Sequence, residues 1–186
     1  MSFTWNERNQ LVEAYGIPAG TSVIVDETFQ YDAFGRRKSR TVRIGTGAPE
    51  TTTYLYDGLN VVKEVRGADT INYLTGGLDE IFTRIHTVAT RYFLADALGS
   101  TIALTNPSGA VKAQFKYEPF GRTTVSGEAT TNRYRWTGRE DEEMDLYYLR
   151  GRYYSQELHR FISRDPIGFA GLGRMTVESR ALPFII

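Results

Sequence analysis

The chain has 186 residues, balances 22 basic against 22 acidic side chains, and has no cysteine. This length fits one domain or one piece of a larger one. The lack of cysteine excludes disulfides, thiolate chemistry and Cys-ligated zinc, and the neutral charge gives no argument for nucleic acid or an anionic membrane as a partner. Tyr, Phe and Gly occur 12, 10 and 18 times, a mixture that favours β-strands joined by tight turns.

The N-terminus carries no predicted targeting signal. Residues 1–16 lack the basic start and apolar run of a signal peptide. No stretch of the sequence reaches the roughly 18 apolar residues that a membrane-spanning helix requires. We therefore expect no membrane insertion, and a cytoplasmic location until export by a specialised secretion system, if the protein is exported.

Predicted strands follow one another from residue 21 to residue 127. β-Branched and aromatic residues fill 21–32, and basic and apolar residues alternate over 40–45, the period of a half-buried strand. A turn or two of helix is expected at most, in residues 6–15 and 139–146. Glycines and an Asn-Pro-Ser-Gly stretch separate further predicted strands, which span 51–57, 60–67, 70–74, 80–88, 91–96, 100–106, 110–118 and 122–127.

Four predicted turns share one chemical pattern. The stretches YDAFGR (31–36), YDGLN (56–60), ADALGS (95–100) and YEPFGR (117–122) each combine an acid, a glycine and an apolar residue. A carboxylate accepts hydrogen bonds from the amides of the turn that follows, and glycine adopts the positive φ that other residues resist. The predicted structural turn residues, with two from a later Asp-Pro-x-Gly stretch, are Asp32, Gly35, Asp57, Gly58, Asp96, Gly99, Glu118, Gly121, Pro166 and Gly168.

Tyrosines at the ends of predicted strands recur with a loose period of roughly 20 residues, which is typical of structural repeats. A single hairpin cannot bury its own apolar face, so neighbouring hairpins must stack. The pattern predicts stacked β-hairpins. The alternative is an ordinary β-domain whose turns happen to use Gly and Asp.

With these motifs the chain resembles the Rhs/YD-repeat family of bacterial polymorphic-toxin proteins, which is related to the C component of Tc toxin complexes and distantly to teneurins. YDAFGR, YLYDGLN, YFLADALGS and KYEPFGR look like the repeats of this family. Residues 133–171, RYRWTGREDEEMDLYYLRGRYYSQELHRFISRDPIGFAG, look like its Rhs repeat-associated core. The resemblance divides the chain into a weakly matched segment (1–19), repeats (20–132), the core (133–171) and a divergent tail (172–186).

The resemblance implies an all-β fold in which stacked antiparallel hairpins form a curved sheet, part of a spiral shell that encloses a C-terminal toxin. The core closes the shell, and its aromatic side chains pack an inward plug. The implied partners are upstream shell segments or further copies of the chain, with no nucleic acid and no cofactor. The expected core aromatics are Tyr147, Tyr148, Tyr153, Tyr154 and Phe161.

The resemblance also implies self-cleavage, because family members with this core use two Asp-Pro-x-Gly motifs as an aspartic-protease-like pair. Arg164 and Asp165 match the first motif. Two close carboxylates cannot both ionise, so one serves as base while the other stays protonated as acid. The chain departs from the family after residue 171, where LGRMTVESRALPFII replaces an Asn-rich run and the second motif. We therefore expect an incomplete, inactive site in which Asp165 is the acid of a tight turn.

The same departure predicts that no toxin passenger follows, and that the tail arises from a frameshift, a truncated gene or a natural short terminus. Three functions stay open: a structural encapsulation module, a carbohydrate- or protein-binding module that uses exposed aromatics, and a self-cleaving protease. A cut-out piece of a shell leaves open strand edges, so we expect the isolated chain to self-associate or to be marginally stable.

Two charged runs and two histidines complete the candidates. The basic run 36–40, with Arg43, is interpreted as a solvated strand face or a charge-protected sheet edge rather than a phosphate site. The acidic run 139–145 lacks the ligand pattern of a calcium loop and is interpreted as a turn. His86 and His159 have no ligand spacing, so no metal site is predicted.

Overall fold

The structure is a computed structural model that describes residues 1–165. Twelve of its strands form one antiparallel sheet in which every strand pairs with the next along the chain. These strands are β1 (Ser2–Trp5), β2 (Leu11–Gly16), β3 (Val25–Tyr31), β4 (Arg37–Ile44), β5 (Glu50–Asp57), β6 (Asn60–Arg66), β7 (Asp69–Thr75), β8 (Ile81–His86), β9 (Thr90–Ala95), β10 (Thr101–Thr105), β11 (Val111–Tyr117) and β12 (Thr123–Gly127).

A second, four-stranded antiparallel sheet follows a single 3-10 turn at Trp136–Gly138. Its strands are β13 (Glu140–Asp141), β14 (Leu146–Leu149), β15 (Arg152–Ser155) and β16 (Arg160–Phe161). The prediction of an all-β fold built from stacked antiparallel hairpins is confirmed. Nothing helical in residues 1–165 has the length and hydropathy needed to cross a membrane.

One extra residue recurs in the second strand of the hairpins, close to the turn. In the first hairpin Thr4 faces Glu13 while Trp5 faces Leu11, which leaves Val12 unmatched. A β-bulge of this kind shifts the side-chain alternation of its strand by one residue. The other unmatched residues are Lys38, Val62, Phe82, Ile102 and Lys112.

Neither of the expected helical turns forms, and a bulge explains the first case. Leu11 and Ala14 are both fully buried although they lie three residues apart, a spacing that imitates one face of a helix. Since the bulge at Val12 restores both side chains to one face of strand β2, the segment is extended. In residues 139–146 the chain forms β13 and then a turn.

The small sheet and the segment that precedes it cover one face of the large sheet, which we call the inner face. Phe29 and Val42 of the large sheet share a core with Leu146 and Tyr153 of the small one. Tyr134 packs with Tyr73 further along, with ring centroids 5.2 Å apart in an edge-on arrangement. The opposite, outer face leaves large side chains exposed, among them Leu55, Leu74, Ile85, Leu94 and Ile102.

Candidate functional site

The predicted turn chemistry is present in two of the four quoted turns. The Oδ1 atom of Asp32 accepts the amides of Phe34 and Arg36, each at 2.9 Å. Asp96 does the same for Leu98 at 2.9 Å and Ser100 at 2.8 Å. Three residues after each acid, Gly35 and Gly99 have φ of 81° and 83°, the left-handed region where glycine is favoured.

Two asparagines form the same turn. The Asn-Pro-Ser-Gly stretch at Asn106 was predicted as a turn without this bonding pattern, whereas the turn at Asn6 was not predicted. Oδ1 of Asn106 accepts the amides of Ser108 at 3.2 Å and Ala110 at 2.9 Å. Oδ1 of Asn6 accepts the amides of Arg8 and Gln10 at 3.0 Å. Because an amide oxygen accepts these bonds as well as a carboxylate oxygen does, the sequence signal is a short acceptor side chain rather than an acid.

The two other predicted acids make different contacts. Asp57 pairs directly with Asn60 across a two-residue turn that contains Gly58, whose φ is 57°. Glu118 begins a turn with the same backbone bonds as Asp32, and Gly121 closes it with a φ of 90°. The Glu118 carboxylate lies 3.9 Å from the Arg122 guanidinium. Pro166 and Gly168 lie outside the described residues.

The predicted aromatic cluster forms the centre of the small sheet. Tyr147 faces Tyr154 across the hairpin of β14 and β15, and Tyr148 faces Tyr153. All four tyrosines are buried, whereas Phe161 is half-buried. Adjacent residues of a strand point to opposite faces, so the doubled tyrosines supply one aromatic pair to each face of the hairpin.

Each aromatic pair has its own contact. Tyr153 packs on Phe29 of the large sheet, with centroids 5.3 Å apart. On the opposite face, Trp136 lies 5.7 Å from Tyr147 and 5.4 Å from Tyr154. The hairpin is therefore sandwiched between the large sheet and the 3-10 turn, and its tyrosine rings are buried rather than exposed as a ligand-binding surface.

Next to the tyrosine pairs of β14 and β15, arginines of β4 form buried ion pairs with the acidic run. Arg37 is completely buried, and its guanidinium binds the carboxylates of Glu140 and Glu142. Arg40 lies 2.9 Å from Glu27 and 2.7 Å from Glu142. We call these five residues the buried charge cluster.

The interpretation of the basic run as a solvated strand face or protected edge was wrong for these two arginines. Arg37 and Arg40 lie three positions apart, a spacing that places side chains on opposite faces of a regular strand. The unmatched Lys38 lets Arg37 face Tyr31 and Arg40 face Phe29, so both guanidinium groups point inward. Arg43 is exposed and pairs with Asp26 at 2.6 Å on the outer face.

Further arginines link the acidic run to its neighbours. Arg133 binds Glu142, and Arg135 binds Asp141. Asp141 also accepts a bond of 2.7 Å from the Gln156 amide. The acidic run therefore has partners in two directions. Glu140 and Glu142 bind Arg37 of β4, whereas Asp141 binds Arg135 and Gln156.

A separate ion triplet joins the two sheets at the turn between β7 and β8. Arg139 lies 2.8 Å from Asp79, and Arg150 lies 3.1 Å from the same carboxylate. The Asp79 amide also donates to the Asn60 side chain at 3.2 Å. Asp79 has a φ of 65°, so its backbone adopts the left-handed conformation that is rare outside glycine and asparagine.

Burial and charge shift the pKa values of the cluster in opposite directions. Burial raises the pKa of Glu27, only partly offset by Arg40. Burial also raises the pKa of Asp141 to about 6, against the attraction of Arg135. For Glu142 the effect of burial is outweighed by Arg133, Arg37 and Arg40, so its pKa is lowered.

Arg164 and Asp165, the two candidate catalytic residues, lie exposed at the end of the described chain. The Asp165 carboxylate is 3.1 Å from the Arg152 guanidinium, which in turn stacks 3.7 Å from the Phe161 ring centroid. The structure thus places Asp165 next to Arg152, which stacks on Phe161, one of the predicted core aromatics. Whether it forms half of a catalytic pair stays a prediction.

The histidines lie apart from one another. His86 is 3.6 Å from Asp69, and His159 stacks on Phe120 with centroids 4.0 Å apart. In the part of the chain that the structure describes, no group of three or more His, Cys, Asp and Glu residues is arranged to hold a metal ion.

We expect Arg37→Leu to lower the free energy of unfolding by about 3–5 kcal/mol, because it leaves Glu140 buried without its ion-pair partner and removes one of the three arginines that bind Glu142. The matched control is Arg43→Leu on the same strand. It removes an exposed pair and should cost about 0–1 kcal/mol. Urea denaturation followed by circular dichroism measures both. Equal losses in the two variants would contradict a special role for the buried charge cluster.

We also expect stability to be greatest near pH 5. A carboxyl whose pKa is raised by folding, such as Asp141, binds its proton more tightly in the folded state, so this contribution is lost as the pH rises through about 6. Glu142 has a lowered pKa, so its contribution is lost as the pH falls below roughly 4.5.

Urea titrations from pH 3 to pH 8 test this profile. Asp141→Asn should flatten the decline between pH 5 and pH 7.5, which we expect to be on the order of 1–3 kcal/mol. Stability that rises steadily up to pH 8 in the unmodified chain would refute the expected profile.

The chain is similar to short parts of several much longer proteins. No family model matches the chain. It is 33% identical over 147 residues to the tRNA nuclease WapA of Bacillus subtilis, which covers 75% of this chain and 6% of that protein. It is 30% identical over 181 residues to the probable deoxyribonuclease RhsB of Dickeya dadantii, which covers 91% of this chain and 12% of that protein.

A solved structure has the same fold. The crystal structure of TcdB2-TccC3-Cdc42 superposes with a TM-score of 0.73 at 20% identity, covering 89% of this chain and 9% of that one. The chain therefore spans only a small part of each of these three proteins.

Proposed function

Since the chain is related to Rhs-type toxin proteins, we propose that it is a wall segment of an encapsulating β-shell, with the segment from residue 133 onward folded back as an inner layer. The observation that carries this proposal is the open twelve-stranded sheet, whose inner face is covered by the chain's own C-terminal layer. Its function is structural, as a container wall.

The two edges of the large sheet are where a longer wall would continue. Within the described residues, β1 pairs only with β2, and β12 pairs only with β11. An edge strand offers unpaired amides and carbonyls to any further strand. We propose that upstream hairpins of the same type, or a second copy of the chain, occupy these edges.

The activities in the relatives' names are proposed to lie outside this segment. A tRNA nuclease and a probable deoxyribonuclease share this architecture but differ in what they cleave, and the chain covers 6% and 12% of them. The shared part is thus the container, and the repeats (20–132) and core (133–171) are its two proposed parts. We propose that the protein stays in the cytoplasm until export.

Lysine on an edge strand discourages pairing between sheets, so edge variants test the wall proposal. We expect the purified chain to self-associate, and Thr124→Lys/Ser126→Lys in β12 to shift it toward monomer by at least tenfold in dissociation constant. The control, Gln30→Lys/Thr53→Lys, adds the same charge to exposed positions of interior strands and should leave association unchanged.

Light scattering coupled to size-exclusion chromatography measures the mass of each variant. Two results would overturn the proposal that these edges receive further strands. The unmodified chain could stay monomeric when its concentration is raised 100-fold, or it could associate equally with and without the edge lysines.

We further propose that this chain alone does not cut itself, because its sequence contains a single Asp-Pro, at 165–166. An aspartic-type mechanism needs a second carboxyl group beside the first. We expect the intact mass to stay unchanged over several days at pH 4 to pH 8, and Asp165→Asn to behave identically. Cleavage of the original chain that the Asp165→Asn variant abolishes would instead establish protease activity.

A further inference from the structure

A polar cavity of about 540 Å³ separates part of the inner face from the segment that covers it. Strands β4 to β7 form its floor, and residues 130–135 and 141–143 form its roof. Cavities that hold small molecules measure roughly 300–1,000 Å³. The cavity is therefore large enough for a small organic ligand.

Most charged side chains that line this cavity are paired with each other. Arg40 and Arg133 bind Glu142, and Arg135 binds Asp141. Arg66 lies 3.5 Å from Glu50. Glu64 is the exception, since no ion pair joins it to any arginine or lysine in residues 1–165. The lining thus contains one carboxylate with no cation at ion-pair distance. Burial raises the pKa of Glu64, and the more distant Arg133 and Arg84 offset this only in part.

Two oxygen atoms of the lining accept no hydrogen bond from the protein. They are Oε1 of Glu64 and Oδ1 of Asn132, and their side chains are 6% and 0% exposed. The Asn132 amide nitrogen donates to the Tyr134 carbonyl at 2.7 Å, which fixes the identity of the free oxygen. A buried acceptor without a donor destabilises the fold, so the folded protein offers two unsatisfied acceptors to a ligand.

We propose that this cavity binds a primary ammonium group, which donates hydrogen bonds to Glu64 and Asn132. The ammonium group has one positive charge and three N–H donors, which match one unpaired carboxylate and one amide oxygen. A divalent cation fits less well, because calcium takes six to eight oxygen ligands. The ammonium group belongs either to a free amine or to a lysine side chain of a polypeptide.

Titration of the purified chain with n-butylammonium chloride tests the proposal. We expect saturable binding by calorimetry and a rise in the melting temperature of about 2–4 °C at saturation. Tetramethylammonium chloride at the same concentration has equal charge but no N–H donor, and should produce neither effect. A tripeptide with a central lysine and blocked termini distinguishes the two sources, since its binding would show that the cavity admits a lysine side chain.

Two variants connect the binding to the residues named. Glu64→Gln removes the unpaired charge and should weaken n-butylammonium binding at least tenfold. Glu143→Gln is the matched control, because this residue lines the same cavity but is half exposed and lies 3.6 Å from Arg40. It should bind the amine as the original chain does, and near-ultraviolet circular dichroism verifies that both variants are folded.

The proposal fails if n-butylammonium causes no saturable response in the original chain, which would mean that Glu64 is protonated or hydrated in an empty cavity. It also fails if tetramethylammonium acts equally, or if Glu64→Gln responds as strongly as the original. Each of these results leaves the wall function untouched, because the edge variants test that function separately.

Discussion

The structure depends on the complete burial of one cation, the Arg37 guanidinium. Transfer of an ion from water into a protein costs several kcal/mol unless nearby groups replace the lost solvent. Here Glu140 and Glu142 supply two carboxylates, and the rings of Tyr148 and Tyr54 lie 4.2 Å and 4.9 Å from the guanidinium carbon. Such an environment exists only when the inner layer docks on the large sheet in one register. Arg37 therefore makes the position of the layer specific, and the apolar contacts around Phe29 and Leu146 add most of the stabilising burial.

The backbone conformation of β4 decides which face of the sheet Arg37 points to. Without the unmatched Lys38, Arg37 would point to the outer face, and Glu140 would be buried without its ion-pair partner. The same device recurs near other hairpin turns, where it places Leu11 and Ala14 on one buried face. Turns and bulges thus have separate effects. The turn fixes where each hairpin reverses, and the bulge decides which side chains reach the core.

These two levels also explain which features the sequence predicted. The turns at Asp32 and Asp96 follow from bonds within five consecutive residues, so local chemistry is sufficient to predict them. The buried arginines depend on a bulge and on partners about 100 residues away, and alternation over 40–45 gave no indication of either. A signal did exist in the acidic run, because Glu140 and Glu142 lie two residues apart and share one face of an extended chain. Carboxylates on a shared face next to an aromatic strand require cationic partners, and the basic run was the available source.

The inner layer crosses the large sheet instead of extending it. Its ties reach three separate places: Asp145 accepts the Ala19 amide at 2.7 Å before β3, the buried charge cluster lies on β3 and β4, and Arg139 and Arg150 hold Asp79 after β7. These three ties lie on interior parts of the sheet. At the edges, Thr123 of β12 hydrogen-bonds Tyr147 at 2.7 Å, and Phe3 and Trp5 of β1 pack against the shared core. These edge contacts are made by side chains, so strands that pair with the edge backbone leave them intact. In repeat proteins each unit interacts mainly with its neighbours, and length can change without loss of the local fold. An inner layer whose ion pairs lie on interior parts of the sheet satisfies the same requirement, because the wall is free to grow at its edges while the layer keeps one structure.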